Sequence, residues 1–147
     1  MASLGAGGSK CLEIKRVQNP FLYKQYVLLR KQTADKLKKT EDQVETTPLW
    51  HGTDIDSVTK ITGGRFDRGH HGKNGQNVDV QGHMYMMQVR VVTGEYCVGN
   101  ESMKYPPVKP SNPAEEFDTT VNDEQNPTIF VTYHDAAAYP DYIIKYI

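Results

Sequence analysis

Apolar and polar positions along this chain follow two spacings, and each spacing predicts one kind of element. In residues 12–17 apolar and charged residues alternate, which predicts a short strand ended by Asn19-Pro20. Over residues 21–39 the apolar residues recur at helical spacing, with most of the lysines between them. This spacing predicts an amphipathic surface helix whose charged side faces solvent.

The middle of the chain predicts a strand, a helix and a second strand in succession. Residues 46–51 suit a strand, and Thr53-Asp54 can cap a helix over residues 55–61 that Gly63-Gly64 ends. Residues 67–83 are rich in Gly, His, Asn and Asp without an apolar period, so we expect a long loop. Residues 84–92 are mostly Met, Tyr and Val, which is typical of a largely buried strand.

The last third of the chain predicts short strands separated by turns. We expect strands at residues 96–98, 128–133 and 142–146, with a turn at residues 135–140 before the last of them. The prolines within residues 104–113 predict an extended surface loop instead of a helix or a central strand. The pattern as a whole predicts one α+β domain of mostly antiparallel strands over residues 11–147, after a disordered start over residues 1–10.

Composition and charge exclude several classes of partner. The chain has 17 Lys and Arg against 18 Asp and Glu in 147 residues, and this balance gives no overall field that would attract nucleic acid or an anionic membrane. Cys11 and Cys97 form neither a disulfide framework nor a zinc-ligand spacing, which favours a reducing compartment. Without a secretory signal or a run of membrane-spanning length, we expect an intracellular protein of the cytoplasm or nucleus. The oligomeric state stays open.

Histidine supplies the candidate chemistry. His51 follows a predicted strand and precedes Gly52 and a helix start, a position that can face a ligand, although a lone histidine at a strand end is more often structural. His70, His71 and His83 lie in or near one loop, but no carboxylate or thiolate stands at a spacing that would complete a metal site. We therefore expect no metal.

A more specific signal comes from segments spread over most of the chain. They include the motifs Gln-Asn-Pro-Phe-Leu, Leu-Trp-His-Gly-Thr-Asp, Val-Arg-Val-Val-Thr-Gly and Asn-Pro-Thr-Ile-Phe-Val, and they lie at residues 14–22, 49–58, 66–74, 83–94, 106–118, 126–131 and 138–144. Their order resembles that in the catalytic domain of the macrodomain-associated mono-ADP-ribosyltransferases of the poly(ADP-ribose) polymerase family. Any one motif can arise by chance, whereas the shared order cannot easily do so. The resemblance implies an ADP-ribosyltransferase fold.

The resemblance also implies a substrate and a reaction. NAD would be the donor and other proteins the acceptors, with His51 bonding a ribose hydroxyl and the Gly52 backbone bonding the nicotinamide carboxamide. The same motif adds Thr53 to the donor-binding set, and Lys73 would contact the adenosine or pyrophosphate part. Ile129 stands where polymerising members carry a catalytic Glu, and an aliphatic side chain there resembles the members that transfer a single ADP-ribose.

One part of the family pattern is absent. Between Asn74 and His83 we expect a strand and then a helix, which supply a carboxamide-binding Ser and a Tyr that stacks on nicotinamide, but only residues 75–82 stand there. Tyr85 is either a partial catalytic substitute for that Tyr or an aromatic residue of the core strand that follows the gap, and we favour the second. The chain is therefore expected to be a single-transfer enzyme, a degenerate binding or regulatory module, or a product lacking one coding block.

Overall fold

The computed structural model describes residues 8–64, 66 and 78–147. In this part of the chain two α-helices and a short 3-10 helix accompany nine strands. The helices are α1 (Pro20–Leu37), the 3-10 helix (Glu41–Val44) and α2 (Ile55–Gly63). The strands are β1 (Cys11–Arg16), β2 (Glu45–Thr53), β3 (Met84–Val92), β4 (Tyr96–Val98), β5 (Val108–Lys109), β6 (Asn112–Glu116), β7 (Thr119–Val121), β8 (Phe130–Thr132) and β9 (Ala138–Tyr146).

The largest sheet has four antiparallel strands in the order β1-β9-β3-β2. In its register Met87 on β3 lies opposite His51 on β2, and Tyr85 lies opposite Thr53. A second sheet has the order β4-β7-β8, with β4 and β7 parallel, and β5 pairs with β6 in a separate ribbon. The prediction of an α+β domain with mostly antiparallel strands is confirmed.

The two helices pack on opposite faces of the four-stranded sheet. Alternate residues of β3, from Tyr85 to Val91, join Val58 and Ile61 of α2 in one buried cluster. On the other face Val92, at the end of β3, joins a second buried cluster with Tyr139 and with two side chains of α1, Leu22 and Tyr26. Because side chains alternate across a strand, the two clusters follow directly from the apolar run that predicted β3.

Both helices begin at side-chain caps, and one cap connects them. The Asn19 side-chain oxygen accepts a hydrogen bond from the Leu22 N–H at 3.0 Å, while its amide donates to the Thr62 carbonyl at 2.9 Å. At the start of α2, Asp54 accepts a hydrogen bond from the Ser57 N–H at 2.8 Å. Asn19 therefore stabilises the first turn of α1 and also ties it to the last turn of α2.

The predicted strands and helices are largely confirmed, but the last strand is longer than its pattern indicated. Residues 138–140, which the sequence predicts to lie in the turn before this strand, belong to β9, and Pro140 is fully buried. The register of β3 and β9 shifts next to this proline, between Gln88 and Val89. An irregularity in the ladder tolerates a residue that has no N–H to donate.

The proline-rich segment is also more ordered than expected. Instead of one extended loop it contains β5 and the start of β6, joined by a turn at Pro110 and Ser111. Each strand of a two-stranded ribbon is an edge strand, so Pro113 can lie within β6 without removing a bond from a central ladder. The short polar strand β7 was not predicted, because its Thr-Thr-Val sequence carries almost no apolar pattern.

The ends of the described chain are tied to one another. Lys10 and Ile147 exchange two backbone hydrogen bonds, of 2.8 and 3.0 Å. Of the expected long loop, residues 67–77 lie outside the described residues, and residues 78–83 form neither helix nor strand. No helix in the described ranges is long and apolar enough to cross a membrane.

Part of the sheet face that carries α1 is open. Beyond the positions that pack against α1, the same face presents Ile14, Trp50 and Tyr142, which are 62, 54 and 38% exposed. Half-buried Met86 and Ile144 lie between them in the register. This apolar surface, called the open face below, has no covering element among the described residues.

Candidate functional site

The edge strand β2 brings His51 and Gly52 to the surface. Among the strands that the structure describes, β2 pairs only with β3, so one side of β2 leaves alternate N–H and C=O groups free of a strand partner. Both residues are exposed. Directly after them the buried Thr53 and the cap residue Asp54 turn the chain into α2, which fixes the strand end in place.

The His51 side chain lies on the sheet face that α2 covers. Its imidazole meets the Phe66 ring edge to face, with 5.5 Å between ring centroids and 82° between planes. The imidazole is accessible to solvent, but surrounding protein atoms displace part of its water, and this desolvation lowers the pKa of His51 below its ordinary value of 6.5. His51 is therefore neutral near pH 7, with one nitrogen that donates and one that accepts a hydrogen bond.

Open space surrounds Gly52. A Cβ atom built at this position would meet no other atom within 4 Å, and the backbone does not have the positive φ that favours glycine. The fold therefore does not require glycine here. Because glycine has no side chain, another molecule can approach the backbone closely at this point on the edge of β2.

Tyr85 is a core residue in this structure. It is only 8% exposed and belongs to the buried cluster with Val58, Ile61 and Met87. Its hydroxyl donates to the Asp79 carboxylate at 2.9 Å. Although Tyr85 and His51 share one face of the sheet, the tyrosine ring is packed in the core and its hydroxyl is already bonded. This geometry favours the second of the two interpretations of Tyr85.

Asp79 is the polar centre of the connection into β3, and the sequence interpretation did not identify it. One of its carboxylate oxygens accepts from the backbone N–H groups of Gln81 and His83, and the other accepts from the His83 ring and the Tyr85 hydroxyl, all between 2.9 and 3.0 Å. Desolvation opposes the charged form, but the hydrogen bonds from His83, Gln81 and Tyr85 outweigh it and hold the pKa of Asp79 well below its usual range. Only the turn sequence Asp-Val-Gln-Gly gave a signal for this arrangement.

Two predicted site residues are not brought to His51 by any described contact. Ile129 is 59% exposed and directly precedes β8, and its N–H donates to the Asn122 side chain at 2.8 Å. His51 therefore lies on a strand of the four-stranded sheet, whereas Ile129 directly precedes a strand of the second sheet. Lys73 lies outside the described residues.

The described residues also contain no group of three or more His, Cys, Asp or Glu side chains arranged to hold a metal ion. His83 is engaged with Asp79, and His70 and His71 lie outside the described ranges.

Sequence comparison identifies the chain as a homologue of the protein mono-ADP-ribosyltransferases of the poly(ADP-ribose) polymerase family, which confirms the predicted resemblance. The human protein mono-ADP-ribosyltransferase PARP14 is 32% identical to it over 156 residues, covering 91% of this chain. Mouse PARP10 and mouse PARP12 are each 29% identical, covering 94 and 91% of it. No protein-family model matches the chain.

The same comparisons set the extent of the match. The chain spans 8% of PARP14, 16% of PARP10 and 21% of PARP12, so it corresponds to a small part of each relative. The alignment with PARP14 runs over 156 positions, which is more than the 147 residues of the whole chain, yet it includes only 91% of those residues. The relative therefore has residues inside the matched region that this chain lacks.

Proposed function

We propose that this chain binds NAD at the outer edge of β2 and transfers a single ADP-ribose unit from it to a protein side chain. The observation that carries the proposal is the adjacent, exposed pair His51 and Gly52 on an edge strand. A neutral imidazole suits a ribose hydroxyl, and the unpaired backbone groups of an edge strand suit a carboxamide, which both donates and accepts hydrogen bonds.

The proposed reaction needs positioning more than it needs acid or base groups. The bond between the ribose C1′ and the nicotinamide nitrogen breaks, and nicotinamide leaves as a neutral molecule with the bonding electrons. Positive charge then develops on the ribose, and a carboxylate of the acceptor protein attacks C1′ to form an ester. His51 and the Gly52 backbone would orient the two ends of the broken bond and exclude water.

The residue at position 129 is consistent with single transfer. The isoleucine side chain can neither accept a proton nor bond a ribose hydroxyl, so it cannot activate an ADP-ribose hydroxyl for chain growth. An acceptor carboxylate is already a nucleophile at pH 7 and needs no base. We therefore propose Asp or Glu side chains of other proteins as acceptors.

Two substitutions test the donor site without disturbing the fold. A Cβ at position 52 meets no other atom. Gly52→Ala should therefore retain the melting temperature of the parent but weaken NAD binding in calorimetry, and His51→Ala should weaken it by about tenfold or more. Gly63→Ala, at a second glycine with open space around it, is the matched control. Equal NAD affinity in all four proteins would overturn the proposed site.

A second function, binding without turnover, is favoured by the position of Tyr85. We propose that the residues missing relative to the family belong between Asn74 and His83, where a strand and helix would supply the second wall of the nicotinamide pocket. Tyr85 is not free to replace that wall, since its ring is buried and its hydroxyl is bonded to Asp79. Incubation with labelled NAD separates the two functions: label on protein supports transfer, and calorimetric binding without label supports a binding module.

A further inference from the structure

An aromatic ring contacts the His51 imidazole at the edge of the sheet. Among the described residues, Phe66 is the aromatic side chain that contacts the His51 imidazole, edge to face, and no described hydrogen bond fixes either ring nitrogen. Phe66 itself is packed against the buried cluster formed by α2 and β3. The chain thus leaves α2 at Gly63-Gly64 and returns a large aromatic ring to the sheet face within two residues.

We propose that Phe66 is a positioning residue that fixes the imidazole of His51 for ligand binding at the edge of β2. The inference deepens the proposed NAD site and rests on it. The rotation of a histidine ring about its last side-chain bond is otherwise broad, because that torsion has no sharp staggered minima. A perpendicular aromatic neighbour favours one ring orientation through the attraction between ring edge and ring face.

The consequence for binding is a smaller entropic cost. An exposed histidine that rotates freely loses that freedom when it bonds a ribose hydroxyl, whereas an imidazole already held by Phe66 does not. Phe66 supplies this constraint because the residue itself packs against the buried cluster formed by α2 and β3. Phe66 would therefore act on the ligand through His51 and need not touch the ligand itself.

Nuclear magnetic resonance tests the contact without any ligand. The ring protons of His51 should show a ring-current shift in the parent protein, lose it in Phe66→Leu and retain it in Phe66→Tyr. Phe21→Leu is the matched control, since Phe21 is 70% exposed and makes no ring contact with His51 in the described structure. If Phe66→Leu unfolds, Phe66→Met, which keeps volume without a ring, replaces it. Unchanged His51 shifts in the folded ringless variant would overturn the proposal.

Calorimetry with NAD tests the functional consequence. Phe66→Leu should bind NAD about two- to tenfold more weakly than the parent, and Phe66→Tyr and Phe21→Leu should bind normally. In a His51→Ala background the same Phe66→Leu change should have no further effect, because its influence passes through the imidazole. An equal loss in both backgrounds would mean a general structural role and overturn the proposal.

Failure of the donor site itself is distinguishable from failure of this inference. If the parent protein does not bind NAD, the proposed function fails, while the His51 ring-current shift still decides whether Phe66 fixes the imidazole. If NAD binds and the shift is insensitive to Phe66, the donor site stands and the positioning role is wrong.

Discussion

Asp79 shows how one carboxylate can organise a short connection. Its two oxygens accept four hydrogen bonds from a stretch of seven residues, so the backbone of the turn and two side chains share one acceptor. The arrangement leaves the hydroxyl of Tyr85 engaged at the start of β3. Residues 79–85, which lead into β3, are therefore held by hydrogen bonds that they make with one another.

The charge of Asp79 should make stability depend on acid. The folded-state pKa of Asp79 is lowered below the ordinary 3.8, so its stabilising contribution is fully present above that pH and is lost as pH falls through the folded value. We expect Asp79→Asn to have a lower urea midpoint than the parent at pH 7, with the difference shrinking below pH 3.8. Asp123→Asn, in an exposed turn, is the control. A difference that stays constant down to pH 2 would contradict the assignment.

The Tyr85 hydroxyl should matter for stability and not for ligand binding. Tyr85→Phe removes the bond to Asp79 and retains the buried ring, so we expect a melting temperature lower by roughly 3 °C or more and an unchanged NAD affinity. Calorimetry and thermal melts of the same sample measure both quantities. A loss of NAD affinity without a loss of stability would restore the catalytic interpretation of Tyr85.

Sequence analysis predicted some residues of the proposed site and not others, for physical reasons. His51 and Gly52 were predicted because they lie in a motif at a strand end that resembles the donor-binding motif of the family. Phe66 and Asp79 were not, because their roles arise from contacts across the fold and within an irregular turn, where neither periodicity nor spacing constrains the side chains. The core position of Tyr85 was the favoured of two interpretations of the sequence, and the burial of its ring in the structure agrees with it.

At the scale of elements, Asn19 links the two helices across the sheet. Its side-chain oxygen caps α1, and its amide reaches the last turn of α2 at Thr62. Since α1 and α2 pack on opposite faces, this residue connects two layers that the sheet otherwise separates. It therefore carries more than the ordinary function of a helix cap.

Substitution can separate the two functions of Asn19. Asn19→Ala should lower the free energy of unfolding by about 1 to 2 kcal/mol, because it removes the cap and leaves the Thr62 carbonyl without its donor. Asn19→Asp should cost less, since aspartate keeps the capping oxygen and loses only the amide donor. Urea unfolding of the three proteins measures the ranking. Equal losses for the two variants would show that the cap contributes nothing.

Which elements could be predicted depended on length and apolar content. The long periodic segments gave α1, α2 and β3 with nearly correct ends, because burial of one face imposes the pattern. β7 is short and polar, and the first half of β9 contains Pro140, so local sequence preference indicated other structures there. Those strands exist because neighbouring strands pair with them, which a local pattern does not reveal.

At the scale of the molecule, the open face is an exposed apolar surface on the largest described sheet. Ile14, Trp50 and Tyr142 lie on one side of the sheet beyond the positions that pack against α1, and contiguous apolar surface of this kind promotes association. The sequence alone predicted a compact domain, but it gave no means of telling which part of the sheet would stay uncovered. Exposure of this kind depends on which part of the sheet α1 covers.

Substitutions on the open face should change association without changing stability. In Ile14→Thr/Tyr142→Thr, two exposed side chains become polar while threonine retains the strand preference. We expect a melting temperature close to that of the parent and less self-association at high concentration in light scattering. Glu13→Gln, on the opposite face of β1, is the control. A parent protein that stays monomeric at every concentration would contradict this expectation.

The position of β9 has a consequence for the order of folding. This strand lies between β1 and β3 in the sheet although it is the last of the described elements in the chain. During synthesis β2, α2 and β3 can assemble as soon as they emerge, whereas β1 has no partner among the described strands until β9 arrives. Long loops must close before those contacts form, so the first-made strand is expected to be among the last to acquire its native neighbours.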